Sequence, residues 1–329
     1  MNTTAVHVLD ILLIISLLSL AAAALLTSDA RRSVILFMAF GLVLAVAWGR
    51  LHAPDVALAE AAIGAGLSGA LLLAALREQP RRALSGDAKP VRERERERTS
   101  IDVTLQLTVT LLCVAVAALL VWALAEAFDR GPQDTLAQAV SETLAASGVS
   151  NPVTAILLNF RAYDTLLELA VLLTAVLGIL ALGPARPGYQ AAGPVFDSLV
   201  RWLVPVLILT AGYLLWVGAH APGGAFQAGA TLAAAAVVLR LAGHRTAGLP
   251  AGQTLHLVIA AGVGMFLLVG LSLLVLGRPF LGYPPAWAGG LILLIESAAM
   301  LAIAATLVLA FLGGRPQPAA GLSGEKRQC

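Results

Sequence analysis

Residues 159–168 read Asn-Phe-Arg-Ala-Tyr-Asp-Thr-Leu-Leu-Glu, and they open an apolar run that continues to about Leu182. At 100° per residue, this stretch predicts a helix with four polar side chains within roughly 100° of arc: Arg161, Asp164, Thr165 and Glu168. Because an isolated charge at bilayer depth costs about 2.5–3.5 kcal/mol, this face is expected to meet protein, a partner charge or water. Two interpretations stay open. One is a proton or ion pathway, and the other is a structural Arg161–Asp164 pair with Glu168 answered by another helix.

The composition is that of a polytopic membrane protein. Of 329 residues, 59% are hydrophobic and only 12% are charged, about half the charge of a soluble domain. The two cysteines, Cys113 and Cys329, do not suggest a disulfide framework or a metal site. No nucleophile–base pair, metal cluster or cofactor loop is apparent. We therefore expect no enzymatic activity, no cofactor and no bound metal.

Nine apolar segments of membrane length predict an all-α fold with about nine transmembrane helices. The predicted segments are Val6–Leu26, Ser33–Gly49, Pro54–Leu76, Val103–Phe128, a run within Pro152–Leu182, Arg201–Gly218, Gly224–Leu241, Gln253–Leu276 and Ala286–Leu312. The first lacks a basic flank and a cleavage site, so it is read as a retained helix. The fifth is longer than a bilayer requires, which predicts a tilted, broken or partly interfacial helix.

Basic residues predict the orientation of these segments. With the N-terminus outside and the C-terminus inside, all but four of the 21 lysines and arginines lie on the inner side. The four exceptions are Arg50, Arg130, Arg161 and Arg278. This asymmetry follows the positive-inside rule and supports an odd number of spans. The alternating Arg/Glu run Arg92–Arg98 is read as a solvated cytoplasmic linker rather than a nucleic-acid or lipid patch.

Two further acids lie within predicted spans. Glu60 shares a helix face with Gly64 and Ser68, where small residues allow a second helix to approach closely. Glu296 lies about ten residues into an apolar run with no cation within one turn. Each is a candidate for the ion or proton path, and each has the alternative of a structural hydrogen bond to another helix. Asp55, beside Pro54 at a helix start, is better explained as a partner of the helix dipole.

A glycine-rich turn separates the sixth and seventh segments. It reads His220-Ala221-Pro222-Gly223-Gly224, followed by Ala225-Phe226-Gln227. Such a turn leaves backbone N–H groups free to receive an anion or a broken helix end. It lacks the Lys-Ser/Thr ending of a phosphate loop, so a tight, closely packed turn is the plainer interpretation, with His220 as a hydrogen-bonding residue.

Three stretches resemble components of the Mrp-type multisubunit cation/proton antiporters and the related membrane-bound hydrogenases. HAPDVALAEAAIGAG, residues 52–66, resembles the MbhD domain of the hydrogenases. NPVTAILLNFRAYDTLLELAV, residues 151–171, resembles their MbhE domain. GAHAPGGAFQAG, residues 218–229, with GRPFLG, residues 277–282, resembles the MnhB family of the antiporters.

The resemblance implies an order of domains. It predicts an MbhD-like three-helix domain at 1–80, a charged cytoplasmic linker at 81–102 and an MbhE-like two-helix domain at 103–185. An MnhB-like four-helix domain at 186–314 and a disordered tail at 315–329 complete the chain. Two departures from the MnhB family are visible. Ala225 stands where a third glycine is usual, and Glu296 is followed by Ser297-Ala298 rather than Ile-Gly-Val.

The resemblance also implies a function. The chain is expected to be a non-catalytic subunit of a Na+/proton antiporter complex in a bacterial plasma membrane, in contact with antiporter-like large subunits and small C-, E-, F- and G-type subunits. Glu60, Asp164, Glu168 and Glu296 are the predicted path residues, and Arg161, Asp55 and Thr165 are their predicted partners. The alternatives are a proton-translocating module of a hydrogenase-like or inorganic-carbon-uptake complex, and a purely structural scaffold. No nucleic-acid partner is expected.

Overall fold

A computed structural model describes residues 3–84, 103–130, 135–183, 193–244 and 247–314. All regular structure in these ranges is helical, so the predicted all-α class is confirmed. The Arg92–Arg98 run of the predicted linker, residues 184–192 and the predicted tail at 315–329 lie outside the described residues, whereas residues 81–84 of that linker are helical. The chain forms two compact units, one of Met1–Ala74 with Thr143–Cys329 and one of Ala75–Glu142.

The helices follow one another in a simple order. The first unit begins with α1 (Thr3–Leu26), α2 (Ala30–Arg50), α3 (Pro54–Ala59), a π-helical segment (Glu60–Leu67) and the start of α4 (Ser68–Leu84). The second unit holds the rest of α4, α5 (Val103–Arg130) and α6 (Thr135–Thr143) up to Glu142. The first unit resumes with α7 (Pro152–Ala155), a second π-helical segment (Ile156–Phe160), α8 (Ala162–Ala181), α9 (Pro194–Val217), α10 (Ala225–Leu241), α11 (Gln253–Val275) and α12 (Ala288–Leu312).

Eight helical segments of the described chain are long and apolar enough to cross a membrane. The remaining predicted segment is α10, an apolar helix of only 17 residues. Its first residue packs beside Glu296, which lies about 12 Å from the start of α12 by helical rise. Because α10 begins at this depth, a shorter helix is enough to cross the rest of the bilayer. The multi-pass membrane fold is thus confirmed, while the orientation of the termini stays a prediction.

The sixth span begins earlier than predicted, at Pro194 instead of Arg201. Gly193, with φ of +91°, ends the preceding linker, and Pro194 occupies the first helical turn, where its missing N–H costs nothing. Asp197 and Arg201 form an i, i+4 ion pair of 3.0 Å on these first turns. The two charges therefore neutralise each other on the helix surface.

The core of the first unit is built around α12. More than half of its span is buried, whereas none of the span of α1 is. Small residues bring α10 and α12 together: a Cβ added to Gly229 would lie 2.8 Å from Cγ2 of Ile303. Such seams allow helix backbones to approach closely in membranes. This close approach is what brings the start of α10 within hydrogen-bonding reach of a side chain on α12.

The fifth predicted segment is broken at Arg161. The Arg161 N–H donates to the carbonyl of Ile156, five residues back, at 2.8 Å, and Arg161 itself is non-helical (φ −125°, ψ 35°). The Thr165 hydroxyl donates to the Leu157 carbonyl at 2.7 Å, which satisfies a group near the break. Arg161 therefore precedes α8 instead of lying within a continuous helix.

Candidate functional site

The turn between α9 and α10 has a conformation that requires glycine. Gly224 has φ of +109° and ψ of −174°, a region that residues with a Cβ rarely adopt. Its N–H donates to the Leu214 carbonyl at 2.8 Å, and a Cβ on Gly223 would overlap that same carbonyl oxygen. The turn thus folds back onto the last residues of α9, and the N–H groups on either side of Gly224, those of Gly223 and Ala225, point toward other helices.

Two carboxylates from different helices accept hydrogen bonds from these N–H groups. Asp55 Oδ1 accepts a hydrogen bond from Gly223 N–H at 3.2 Å, and Glu296 Oε1 accepts one from Ala225 N–H at 3.3 Å. Asp55 lies in the first turn of α3, and Glu296 lies within α12. Because the N-terminus of a helix carries a partial positive charge, the start of α10 attracts both carboxylates.

Glu296 is the buried member of the pair. It is 3% exposed, and within the described residues its second oxygen, Oε2, is buried and has no hydrogen-bond partner. A Cβ on Gly224 would lie 2.9 Å from Oε1, so the glycine leaves room for the carboxylate. A buried polar oxygen without a partner is costly. The arrangement holds one oxygen in place and leaves the other able to bind a proton or a cation.

Gln227 fixes the helix that carries Asp55. Its Nε2 donates to the backbone carbonyl of Asp55 at 3.2 Å, and the side chain is buried. Gln227 belongs to the glycine-rich stretch of the sequence, but no role was predicted for it. A polar side chain in the first turn of an otherwise apolar helix is the signal that could have identified it.

The other side of the turn is held by residues 150–154, at the start of α7. Asn151 Nδ2 donates to the carbonyls of Gly218 (3.3 Å) and Ala221 (3.0 Å), and the Thr154 hydroxyl also donates to Gly218. His220 Nδ1 lies 3.0 Å from the Ser150 hydroxyl, as expected of a hydrogen-bonding histidine. Pro222 lies between these two groups of contacts, so the turn is fixed on both sides. Asn151 was not predicted as a site residue.

Glu60 contacts a different helix. It is half-buried at the start of the first π-helical segment, and its carboxylate lies against Gly64, where an added Cβ would overlap it. A Cβ on Gly41 of α2 would lie 3.1 Å from Glu60 Oε1. The Ser68 hydroxyl donates to the Ile63 carbonyl at 2.8 Å instead of to Glu60. The predicted close helix approach therefore occurs, and α2 is the helix that approaches.

The four polar residues around α8 do not share one environment. Arg161 and Asp164 form an exposed ion pair at i, i+3, and Glu168 is exposed. Thr165 is 5% exposed and faces the core, where its hydroxyl bonds to backbone. Asp164, Thr165 and Glu168 keep the predicted arc on α8, but the 100° step from Asp164 to Thr165 crosses from the surface into the packing, so these side chains do not meet one environment. Thr165 is likewise not a partner of the charges.

The ion pair between Arg50 and Asp10 was not predicted from the sequence. Arg50 Nε lies 2.9 Å from Asp10 Oδ1, and Arg50 Nη2 donates to Asp10 Oδ2 at 3.3 Å. The pair joins α1 to the end of α2. The sequence signal for this pair was Asp10, an acid within the first apolar run.

Among the described residues, no group of three or more His, Cys, Asp or Glu side chains is placed to hold a metal ion.

Two protein families match the chain. Residues 15–81 match the MbhD family, the D-type subunit of MBH, and residues 195–314 match the domain related to the MnhB subunit of Na+/H+ antiporters. The chain therefore joins an MbhD-like domain to an MnhB-like domain. The MbhD-like domain supplies Asp55 and Glu60, and the MnhB-like domain supplies the glycine turn and Glu296. The glycine turn, with its hydrogen bonds to Asp55 and Glu296, is thus a contact between the two domains. The resemblance to these two families is confirmed, and the MbhE-like assignment of 103–185 stays a prediction.

Two solved structures have a similar fold. One is the Mrp complex from Dietzia sp. DQ12-45-1b, with a TM-score of 0.68, 23% sequence identity and 93% of this chain covered. This chain spans only 35% of that chain. The other is the membrane-bound sulfane sulfur reductase (MBS), an archaeal respiratory membrane complex, with a TM-score of 0.51, 22% identity, 63% of this chain and 97% of that chain. A comparison with curated protein sequences found no match.

Proposed function

We propose that this chain is a membrane subunit of a multisubunit Na+/proton antiporter complex in a bacterial plasma membrane. It would dock the antiporter-like large subunits and the small C-, E-, F- and G-type subunits. Two observations support a role as one part of an assembly: the two matched families and the likeness to one third of a chain of the Mrp complex. In this proposal, the chain catalyses no covalent chemistry.

The single observation that carries the proposal is the carboxyl group of Glu296. It is buried within a membrane-spanning helix, and one oxygen is held by Ala225 N–H while the other is unpaired within the described chain. An isolated charge at this depth costs about 2.5–3.5 kcal/mol, and the start of α10 offsets part of that cost. Binding a proton or a sodium ion at Oε2 removes the remaining free-energy cost of the buried charge. Glu296 is thus a site where the transported species binds and leaves.

The remaining acids extend this site toward the rest of the complex. Asp55 and Glu60 lie on α3 and the first π-helical segment, and Asp164 and Glu168 lie on α8. We propose that Glu60, Asp164 and Glu168 complete the path together with groups that other subunits supply. Local π-helical turns are frequent at functional sites, and one begins at Glu60.

Exchange driven by a pH gradient in membrane vesicles tests the proposal. The complete set of subunits would be expressed with wild-type chain, Glu296→Gln or Glu296→Asp, and cation-dependent collapse of the gradient would be measured. We expect Gln to reduce exchange at least tenfold, because an amide cannot carry the proton, and Asp to retain part of it. The matched control is Glu142→Gln, an exposed acid next to the end of α6. Wild-type exchange by an assembled Glu296→Gln complex would falsify the proposal.

A second candidate is a proton-translocating module of a respiratory complex. The MbhD match and the likeness to the sulfane sulfur reductase favour it. In that case, sodium exchange would be at background in both the wild-type and the Glu296→Gln complexes, and Glu296→Gln would lower proton uptake during turnover of a redox partner. Measuring both activities in the same vesicles separates the two candidates.

A further inference from the structure

Glu168 lies at mid-membrane depth. The next residue, Leu169, is buried, and its Cδ1 would lie 3.7 Å from a Cβ added to Gly262 on α11. That added Cβ would also lie 3.1 Å from the Ala302 Cβ on α12. Gly262 and Ala302 lie near the middle of their helices, both of which are long enough to span a membrane. Glu168 is therefore level with the centre of the bundle.

The Glu168 side chain is nevertheless on the outside of the chain. It is exposed, and its neighbours along the same side of α8 are exposed apolar residues: Leu167 is 63% exposed and Val171 is 68% exposed. We call these three residues the α8 patch. On a bundle with only lipid around it, the α8 patch would hold a carboxylate against hydrocarbon. Ionisable side chains in membrane-spanning helices almost always face protein or water instead.

No group of the described chain balances this carboxylate. Arg161, the nearest cation along the chain, is paired with Asp164. Within the described ranges, no hydrogen bond or ion pair involves Glu168, and the charged group that acts on it is the like-charged Asp164. One positive and two negative charges leave this side of α8 with one unbalanced carboxylate. A second copy of the chain docked through the same patch would add another Glu168, so self-association increases the imbalance.

We propose that the α8 patch docks a transmembrane helix of another subunit, and that this helix carries a lysine or arginine level with Glu168. The proposal rests on the proposed function in one respect, that the chain works within a multisubunit membrane complex. A cationic side chain would neutralise Glu168 and donate hydrogen bonds to it, while Leu167 and Val171 pack against the apolar part of the same helix. Docking converts the most costly exposed group of α8 into a buried ion pair.

Site-specific photo-crosslinking tests the contact. A photoreactive phenylalanine analogue would replace Val171 in the assembled complex in native membranes, and the products would be sequenced by mass spectrometry. We expect a crosslink to a membrane-spanning segment of another subunit that contains a lysine or arginine. A product formed only with lipid, with a second copy of this chain, or with a segment lacking a cation overturns the proposal.

Substitution of Glu168 gives the second readout, the assembly of the complex. We expect Glu168→Lys to reduce recovery of the crosslinked subunit at least fivefold on a native gel, and an acidic residue in place of that subunit's cation to restore it. The matched control is Thr174→Leu, an exposed polar residue on α8 whose hydroxyl bonds only within its own helix. Full assembly of the Glu168→Lys complex contradicts docking, whereas full assembly with normal exchange in Glu296→Gln contradicts the transport role alone.

Discussion

Glu296 Oε1 and Ala225 N–H are 3.3 Å apart, and this hydrogen bond connects the middle of one membrane-spanning helix to the start of another. It explains why α10 begins inside the bundle and why Gly224 precedes it. A carboxylate at this position replaces the capping side chain that a helix N-terminus normally receives from its own sequence. The buried acid and the short helix are two consequences of the same contact.

Gly224→Ala should destabilise the chain. Its φ of +109° is unfavourable for alanine, and the new Cβ would lie 2.9 Å from Glu296 Oε1. Strained backbone of this kind costs about 1–3 kcal/mol. Thermal unfolding of the detergent-purified chain would measure the loss. Gly178→Ala, on α8 with open space around the added Cβ, is the control and should be neutral or stabilising. Equal melting temperatures for the two variants would show that the turn is not constrained.

Asp55→Ala should weaken the contact between the MbhD-like and MnhB-like domains. The substitution removes the acceptor of Gly223 N–H, and leaving a backbone donor without its charged partner costs about 1–3 kcal/mol. Asp55→Asn keeps an oxygen at the same position and should recover at least half of the loss. Thermal unfolding compares the three chains. If alanine and asparagine behave alike, the hydrogen bond does not hold the domains together.

Asn151→Ala should also lower stability by about 1–3 kcal/mol, because the amide donates to the carbonyls of both Gly218 and Ala221 from a buried position. Ser150→Ala, which alters an exposed hydroxyl next to it, is the matched control and should have a much smaller effect. Denaturation in mild detergent would rank the two. A larger loss for Ser150→Ala would place the main anchor of the turn at His220 instead.

Thr165→Val separates structure from transport. The hydroxyl donates to the Leu157 carbonyl at the break before α8, so its removal should cost about 0.5–1.5 kcal/mol of stability. Because the Thr165 hydroxyl bonds to backbone and not to the neighbouring charges, exchange by the assembled complex should remain at the wild-type rate. A selective loss of exchange with an unchanged melting temperature would show that Thr165 does act as a partner of the path residues.

Much of the fold was predictable because apolar length is a strong signal. Eight spans and the short α10 match the nine apolar segments, since each run must be long enough to cross the hydrocarbon. The start of α9 was placed too late because Gly193 and Pro194 are typical of a linker, whereas a proline also fits the first turn of a helix. The length and hydropathy of a segment also do not show that two of its charged residues, such as Asp197 and Arg201, pair with each other on a helix.

The candidate site was predictable only in part, because its geometry depends on contacts between distant residues. Glu296 and the glycine turn were identified separately, and they lie 71 residues apart along the chain. Nothing in the spacing of these residues shows that they meet. The burial of Thr165 could likewise not be read from the sequence, because it depends on which segments pack against α8. Gln227 and Asn151 were missed because their partners are backbone atoms of other segments.

Infrared difference spectroscopy of the purified complex tests the central role of Glu296 most directly, by recording the carbonyl band of protonated carboxylic acids as pH or sodium is changed. The predicted result is a buried carboxylic-acid band that responds to both and that disappears in Glu296→Gln, while Glu142→Gln retains it. Identical difference spectra for the wild-type and Glu296→Gln complexes would contradict a Glu296 carboxyl group that binds and releases the transported ion.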